Sequence, residues 1–187
     1  MLKSLYRSAA RCGALALLLV CPLASSSAGD TDVIRFTVDV AEDFTRFTPT
    51  LLSPEDLEPK RGSFFLTEGR IFPRNTISGD GADFDPNSTG AIGLWFCRGT
   101  HLADASKIIS GEAEIWVATT QNYLLPDDRR SIATEGREGS LPMVRTIVGG
   151  TGQYRGYIGE QKQELLGFNK TGGVNLRVTF ILRRAAH

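Results

Sequence analysis

The sequence predicts an all-β protein, an eight-stranded antiparallel β-barrel, on three observations. Alternating apolar and polar residues recur in segment after segment, turn-forming Gly, Asn, Asp and Pro residues separate those segments, and no stretch carries the 3.6-residue apolar period of a long helix. About eight such segments can be counted, the number that closes into a small barrel able to hold side chains or one small ligand.

The chain opens on a stretch of a different kind. Lys3, Arg7 and Arg11 precede an apolar run over 13–24, and the small residues Ser26, Ser27 and Ala28 follow. That order reads as an export signal over 1–28, cleaved after Ala28, and the run is too short to span a bilayer. The expected mature domain is 29–187. It keeps 18 of the 21 Lys and Arg residues against all 21 Asp and Glu, so no basic excess points to nucleic acid. Cys12 and Cys21 leave with the signal, and Cys97 alone cannot form an internal disulfide, so stability has to come from packing.

Ile34, Phe36, Val38 and Val40 alternate with Arg35, Thr37 and Asp39, the pattern of a half-buried strand. From Ala41 to Gly62 the pattern dissolves among Pro49, Pro54 and Pro59, which reads as a surface loop with a short helical turn over 54–57. Extended character resumes over 63–72. The polar stretch that follows suits tight turns, and within it Asp83, Asp85 and Asn87 read as Asx turns, since the glycine and distant glutamate of a calcium loop are missing. Asn87 and Asn169 also head glycosylation sequons.

The segment 91–98 places Trp95 and Cys97 on one face with Gly93, and Ile92, Leu94 and Phe96 on the other, a strand covered on both sides. Over 112–123, Glu112, Glu114, Trp116 and Thr120 face one way and Ala113, Ile115, Val117 and Thr119 the other. A turn at Pro126, a short segment near Ile132, and a strand over 142–148 come next. The last strand alternates through Val174, Leu176, Val178, Phe180 and Leu182.

The glycine-rich stretch between those last strands is tested first as a phosphate site, and it fails. Gly149, Gly150 and Gly152 are not followed by the lysine of a P-loop, and they lead into an extended segment instead of a helix N-terminus. A hairpin turn is the better reading. Metal and triad chemistry lack ligands, because the chain holds two histidines, His101 and His187. No metal and no cofactor are expected. What remains is a barrel-interior constellation: Trp95 and Cys97; Glu112, Glu114 and Trp116; and Tyr157, Gln161 and Gln163. A carboxylate in an apolar pocket has a raised pKa and can exchange protons, so Glu114 and Cys97 are the candidate catalytic groups, and Trp95, Trp116, Tyr157, Gln161 and Gln163 the candidate ligand contacts.

The stretch VRTIVGGTGQYRGYIGEQKQ resembles the hairpin shared by the allene oxide cyclase barrel and the dirigent proteins, within the calycin-like eight-stranded barrels. Gly62-Ser63-Phe64-Phe65, Gly90-Ala91-Ile92-Gly93-Leu94 and Val178-Thr179-Phe180-Ile181-Leu182-Arg183 agree with it in order and spacing. The resemblance implies a barrel with an apolar cavity that steers cyclisation or isomerisation of a small hydrophobic molecule without a cofactor. Where the plant cyclases place a cysteine directly after the Gly-Leu pair this chain has Trp95, with Cys97 two residues on. Asp39 and Glu42 are the approximate neighbours of their first-strand glutamate. Two functions stay open: an exported isomerase or cyclase, and a non-catalytic binding protein or oligomeric scaffold with a filled barrel. The expected partners are a small hydrophobic ligand and, for the scaffold, further copies of the chain, with no nucleic acid and no integral membrane span.

Overall fold

Alternation of period two is what lets a strand present one face to a barrel interior, and in the computed structural model eight strands do so. The structure describes residues 33–126 and 130–185; the stretch read as an export signal, with Cys12 and Cys21, lies outside them, as do His187 and part of the turn after Pro126. The strands are β1 (Val33–Thr50), β2 (Phe64–Pro73), β3 (Gly93–His101), β4 (Ile115–Leu125), β5 (Arg130–Gly139), β6 (Met143–Gly150), β7 (Tyr157–Phe168) and β8 (Val174–Arg184). They close in sequence order, each antiparallel to the next, with β8 pairing back onto β1 from Val33 opposite Arg183 to Ala41 opposite Asn175. Full closure leaves no unpaired edge.

The interior is apolar in one half and polar across the middle. Val38, Val40, Ile132, Ile147, Tyr154, Tyr157, Val178, Phe180 and Leu182 form one buried cluster. The glycine-rich hairpin turn tucks inward to complete it: a 3-10 turn over Gly152–Tyr154 swings Tyr154 under the barrel, where it stacks 5.9 Å from Phe36. That fold-back demands glycine twice. Gly152 sits at φ +59°, and a Cβ on Gly150 would lie 2.7 Å from the Tyr154 Cβ. This end of the barrel is plugged.

Residues 74–92 lie across the outside of β1 and β8 as a strap. Asp39 faces outward from β1 and is fully buried beneath it, paired with Arg177 at 2.9 Å and accepting from the Ile77 backbone N–H at 3.0 Å. Asn175 donates to the Gly81 carbonyl at 3.0 Å, and Phe72, Ile77 and Ala41 form a small apolar cluster under the strap. The Asx reading of this segment holds, with Asn87 N donating to Asp85 at 2.8 Å.

Three expectations need correction. Strand β1 does not stop at Val40 but runs to Thr50, because a bulge interrupts the alternation: five steps from Asp43 to Thr48 match two from Glu68 to Leu66 on β2. Residues 54–57 form a turn and no helix, whereas a five-residue helix, α1 (Ala105–Ile109), lies between β3 and β4. The region around Ile132 is a full ten-residue strand, not a short segment.

Candidate functional site

Up-and-down topology puts the connections β1–β2, β3–β4, β5–β6 and β7–β8 at the same end, opposite the Tyr154 plug. At that end the barrel is not filled. A cavity of about 700 Å³ descends from a rim made by Phe44, Leu57, Ile109 and Phe168 to a floor that includes Glu42, Thr67, Trp95, Cys97 and Glu138. The size suits a small organic ligand. Its rim is apolar and open, Leu57 being 99% and Ile109 84% exposed.

The bulge in β1 helps to shape the mouth. It carries Phe44 and Phe47 into a stack 4.9 Å apart, and Phe47 packs 5.4 Å from Phe65 of β2. Trp116 closes the opposite side, stacked 6.3 Å from Phe168. The connection over 51–63 and α1 are tied together above the mouth, by Arg61 N donating to Asp104 at 2.8 Å and Ala105 N to the Pro59 carbonyl at 2.9 Å.

Two buried carboxyl groups reach the cavity, and a third, Glu58, lies at its partly exposed margin. Glu42, on β1, is 6% exposed and accepts from the Thr67 hydroxyl at 2.6 Å and the Val174 N–H at 2.9 Å. Burial raises its pKa above the ordinary carboxyl value; those two hydrogen bonds oppose the rise, and the nearby Glu138 adds to it. Glu138, on β5, is held differently. Arg145 of β6, 1% exposed, pairs with it at 3.3 Å and donates to the Thr119 carbonyl at 3.0 Å, while the Thr119 hydroxyl and the Cys97 thiol, at 3.6 Å, also reach the same oxygen. Gln163 donates to the other oxygen at 3.3 Å. Removing one partner of so buried a pair costs roughly 3–5 kcal/mol, because it strands the other charge.

Below that pair lies an uncharged polar layer. Gln121 and Gln161 both donate to Gln163, at 3.1 and 3.0 Å, and the Tyr123 hydroxyl bonds Gln121. Burial pushes the Tyr123 phenol far up, so it acts as a neutral donor. The Trp95 indole N–H lies beside that phenol without a hydrogen bond of ordinary geometry. Cys97 is likewise pushed well above the usual thiol range by burial and by Glu138, which makes it a neutral wall group and a poor nucleophile. Among the described residues no cluster of three or more His, Cys, Asp and Glu is placed to hold a metal ion.

No family model and no curated protein matches the chain. Solved structures do. The pterocarpan synthase dirigent protein PsPTS1 superposes with a TM-score of 0.60 at 12% identity, over 83% of this chain and 97% of that one. The pterocarpan synthase dirigent protein GePTS1 gives 0.58 at 10%, over 90% and 99%, and a pyocyanin demethylase 0.51 at 13%, over 79% and 99%. The chain folds as a dirigent-type barrel.

In this dirigent-type barrel the sequence-predicted site residues divide into three groups. Trp95, Cys97 and Trp116 line the cavity. Gln161 and Gln163 face inward as expected but lie beneath the floor, in the glutamine layer. Two expectations fail. Glu114 is exposed and precedes β4, whose inward residues are Val117, Thr119, Gln121 and Tyr123, so the interior carboxyls are Glu42 and Glu138 instead. Tyr157 is buried at the plugged end, with the Arg184 guanidinium 5.3 Å from its ring, away from the cavity. Glu138 fell between the segments read as strands, and Arg145 lay in the strand read over 142–148 without being singled out. The signal was their parity, with Ile132 and Thr134 on β5 and with Ile147 on β6.

Proposed function

We propose that this dirigent-type barrel binds a small, largely apolar molecule in its open-ended cavity and guides the cyclisation or isomerisation of that molecule. One observation carries the reading: a cavity of about 700 Å³ walled by aromatic rings ends on Glu42, a buried carboxyl that keeps its proton to higher pH than an ordinary one. Such a group gives a proton to one ligand atom and, as the carboxylate, takes one from another, so an isomerisation proceeds with no net proton change. The wall holds one ligand conformer near the reactive geometry, and the Glu138–Arg145 pair beneath it is too tightly engaged to move. Trp95 and Trp116 are the proposed ligand contacts, and Cys97 contributes shape. The proposal includes export, on the signal read over 1–28.

Storage of a ligand without conversion is favoured by one fact: both Glu42 oxygens already accept a hydrogen bond, from Thr67 and from Val174. Native mass spectrometry of the protein purified from its own host tests binding first. A retained small molecule is expected, and neither retention nor uptake of an apolar fluorophore such as N-phenyl-1-naphthylamine would sink the reading. With the retained molecule in hand, Glu42→Gln is expected to keep binding and to slow conversion by on the order of 10²–10⁴-fold. Unchanged handling of the ligand by that variant leaves storage as the function.

A further inference from the structure

Two ion pairs border the cavity, and each turns its acid inward. Glu138 lines the floor, while its partner Arg145, 3.3 Å away with a side chain 0% exposed, stands behind it and outside the lining. All three nitrogens of that guanidinium are engaged, with Thr134, with Glu138 and the Arg137 carbonyl, and with the Thr119 carbonyl. Glu58 lines the margin, and Lys60, 2.8 Å from it, likewise lies outside the lining. A pair of opposite charges is neutral from afar, but at close range the nearer charge sets the sign. What a ligand meets at both places is the negative end.

No positive group offsets this. Among the described residues no Lys or Arg lines the cavity, and His101, which does, has both ring nitrogens buried and so puts no charge on the surface. Glu42 is a carboxylate or a neutral acid according to pH, and in neither state is it a counter-charge for an anion. The two connections at the mouth, 51–63 and 102–114, carry Glu55, Asp56, Glu58, Asp104, Glu112 and Glu114 against Lys60, Arg61 and Lys107, six acids to three bases. Arg46 and Lys170, at the same end, are paired with Glu68 and Asp85 at 2.7 and 2.6 Å. An anion would be desolvated in an aromatic cavity with nothing to compensate it. A cation of the same shape meets carboxylate oxygens there, and aromatic rings, whose faces attract cations.

Resting on the cavity as the ligand site, we infer that it sorts ligands by the sign of their charge: an apolar molecule bearing an organic cation, such as a quaternary ammonium or a charged ring nitrogen, is accepted, and an anion of the same shape, such as a carboxylate or a sulfonate, is rejected. The substrate is then an apolar body without an anionic group. Desolvation burdens both ions, so it is the sign of the lining that separates them.

Displacement of N-phenyl-1-naphthylamine from the full chain tests this at neutral pH, with decyltrimethylammonium and decane-1-sulfonate as probes below their micelle-forming concentrations. The two share a chain length and a compact tetrahedral head, and neither head titrates near neutral pH. At low ionic strength, where screening is least, the cation is expected to displace the fluorophore at about a tenth of the concentration the anion needs. Leu57→Lys combined with Ile109→Lys sets two bases on the rim, at residues 99% and 84% exposed where no packing is disturbed, and should narrow that ratio several-fold. Equal displacement by the two probes, preference for the sulfonate, or a ratio that the double variant leaves unchanged overturns the inference, while uptake of the fluorophore leaves the cavity reading standing. Failure of the fluorophore and of both probes overturns both.

Discussion

Glu42 shows how one buried side chain links ionisation to stability. The folded chain holds its proton more firmly than the unfolded chain does, so protonated Glu42 favours the folded state. That contribution is complete below the ordinary carboxyl value of about 4.5 and is lost as pH rises through the raised folded value. Glu42→Gln mimics the neutral form and keeps groups able to pair with Thr67 and Val174. Urea midpoints measured from pH 4 to pH 8 should therefore show the wild type falling relative to the variant as pH increases, then running parallel to it. A difference that stays flat, or grows in the other direction, contradicts the buried, proton-holding carboxyl. Parity of spacing could have found Glu138 and Arg145, and Glu42 continues the parity of Val38 and Val40. What spacing does not reveal is which inward carboxyl is matched by an arginine, because that pairing joins β5 to β6 across the barrel wall.

Strands whose alternation is unbroken were legible: the inward sets of β3 and β8 are those the sequence shows, and Gln161 and Gln163 of β7 face inward as read. Legibility failed where an element departs from period two. The bulge in β1 turns a strand into an apparent loop, yet that bulge delivers Phe44 and Phe47 to the mouth. The phase of β4 was readable, but the face turned inward was not: Trp116 had seemed to mark the inner side, and the inward set proves to be the alternate one, Val117, Thr119, Gln121 and Tyr123. Helix α1 is too short to carry a period and has no buried residue and no side-chain cap. It contributes Ala105, Ile108 and Ile109 to the cavity lining, and this separation of stability from binding can be measured. Replacing residues 105–109 by a Gly-Ser linker should change unfolding free energy by no more than about 1–2 kcal/mol, since none of the five residues is fully buried and only Ala105 and Ile108 are partly covered. Affinity for an apolar fluorophore should fall several-fold in the same protein. A large loss of stability would show that α1 is a structural support and not a flap of the binding site.

At the scale of the whole barrel, the molecule is a vessel with one end closed by packing and the other left open, and among the described residues packing and polar pairing hold it, Cys97 being free. Its apolar free energy is concentrated in the closed half, where Phe180 is fully buried, 4.8 Å from both Phe36 and Tyr123. The open half gives up that packing for space. The two halves should answer oppositely to changes in side-chain volume. Phe180→Ala removes a fully packed ring and is expected to cost about 3–5 kcal/mol, with a cavity left behind that its neighbours cannot fill. Val117→Phe adds volume in the wall of the open cavity, where overpacking has room to relax, and should cost less than about 1 kcal/mol. The effects on binding run the other way, because the added ring takes ligand space while Phe180 lies outside the cavity lining. Urea denaturation with parallel fluorophore titration measures both quantities on each variant. A strongly destabilising Val117→Phe with undiminished binding would mean that the open half packs as tightly as the closed half, and that the space at this end of the barrel is not where a ligand goes.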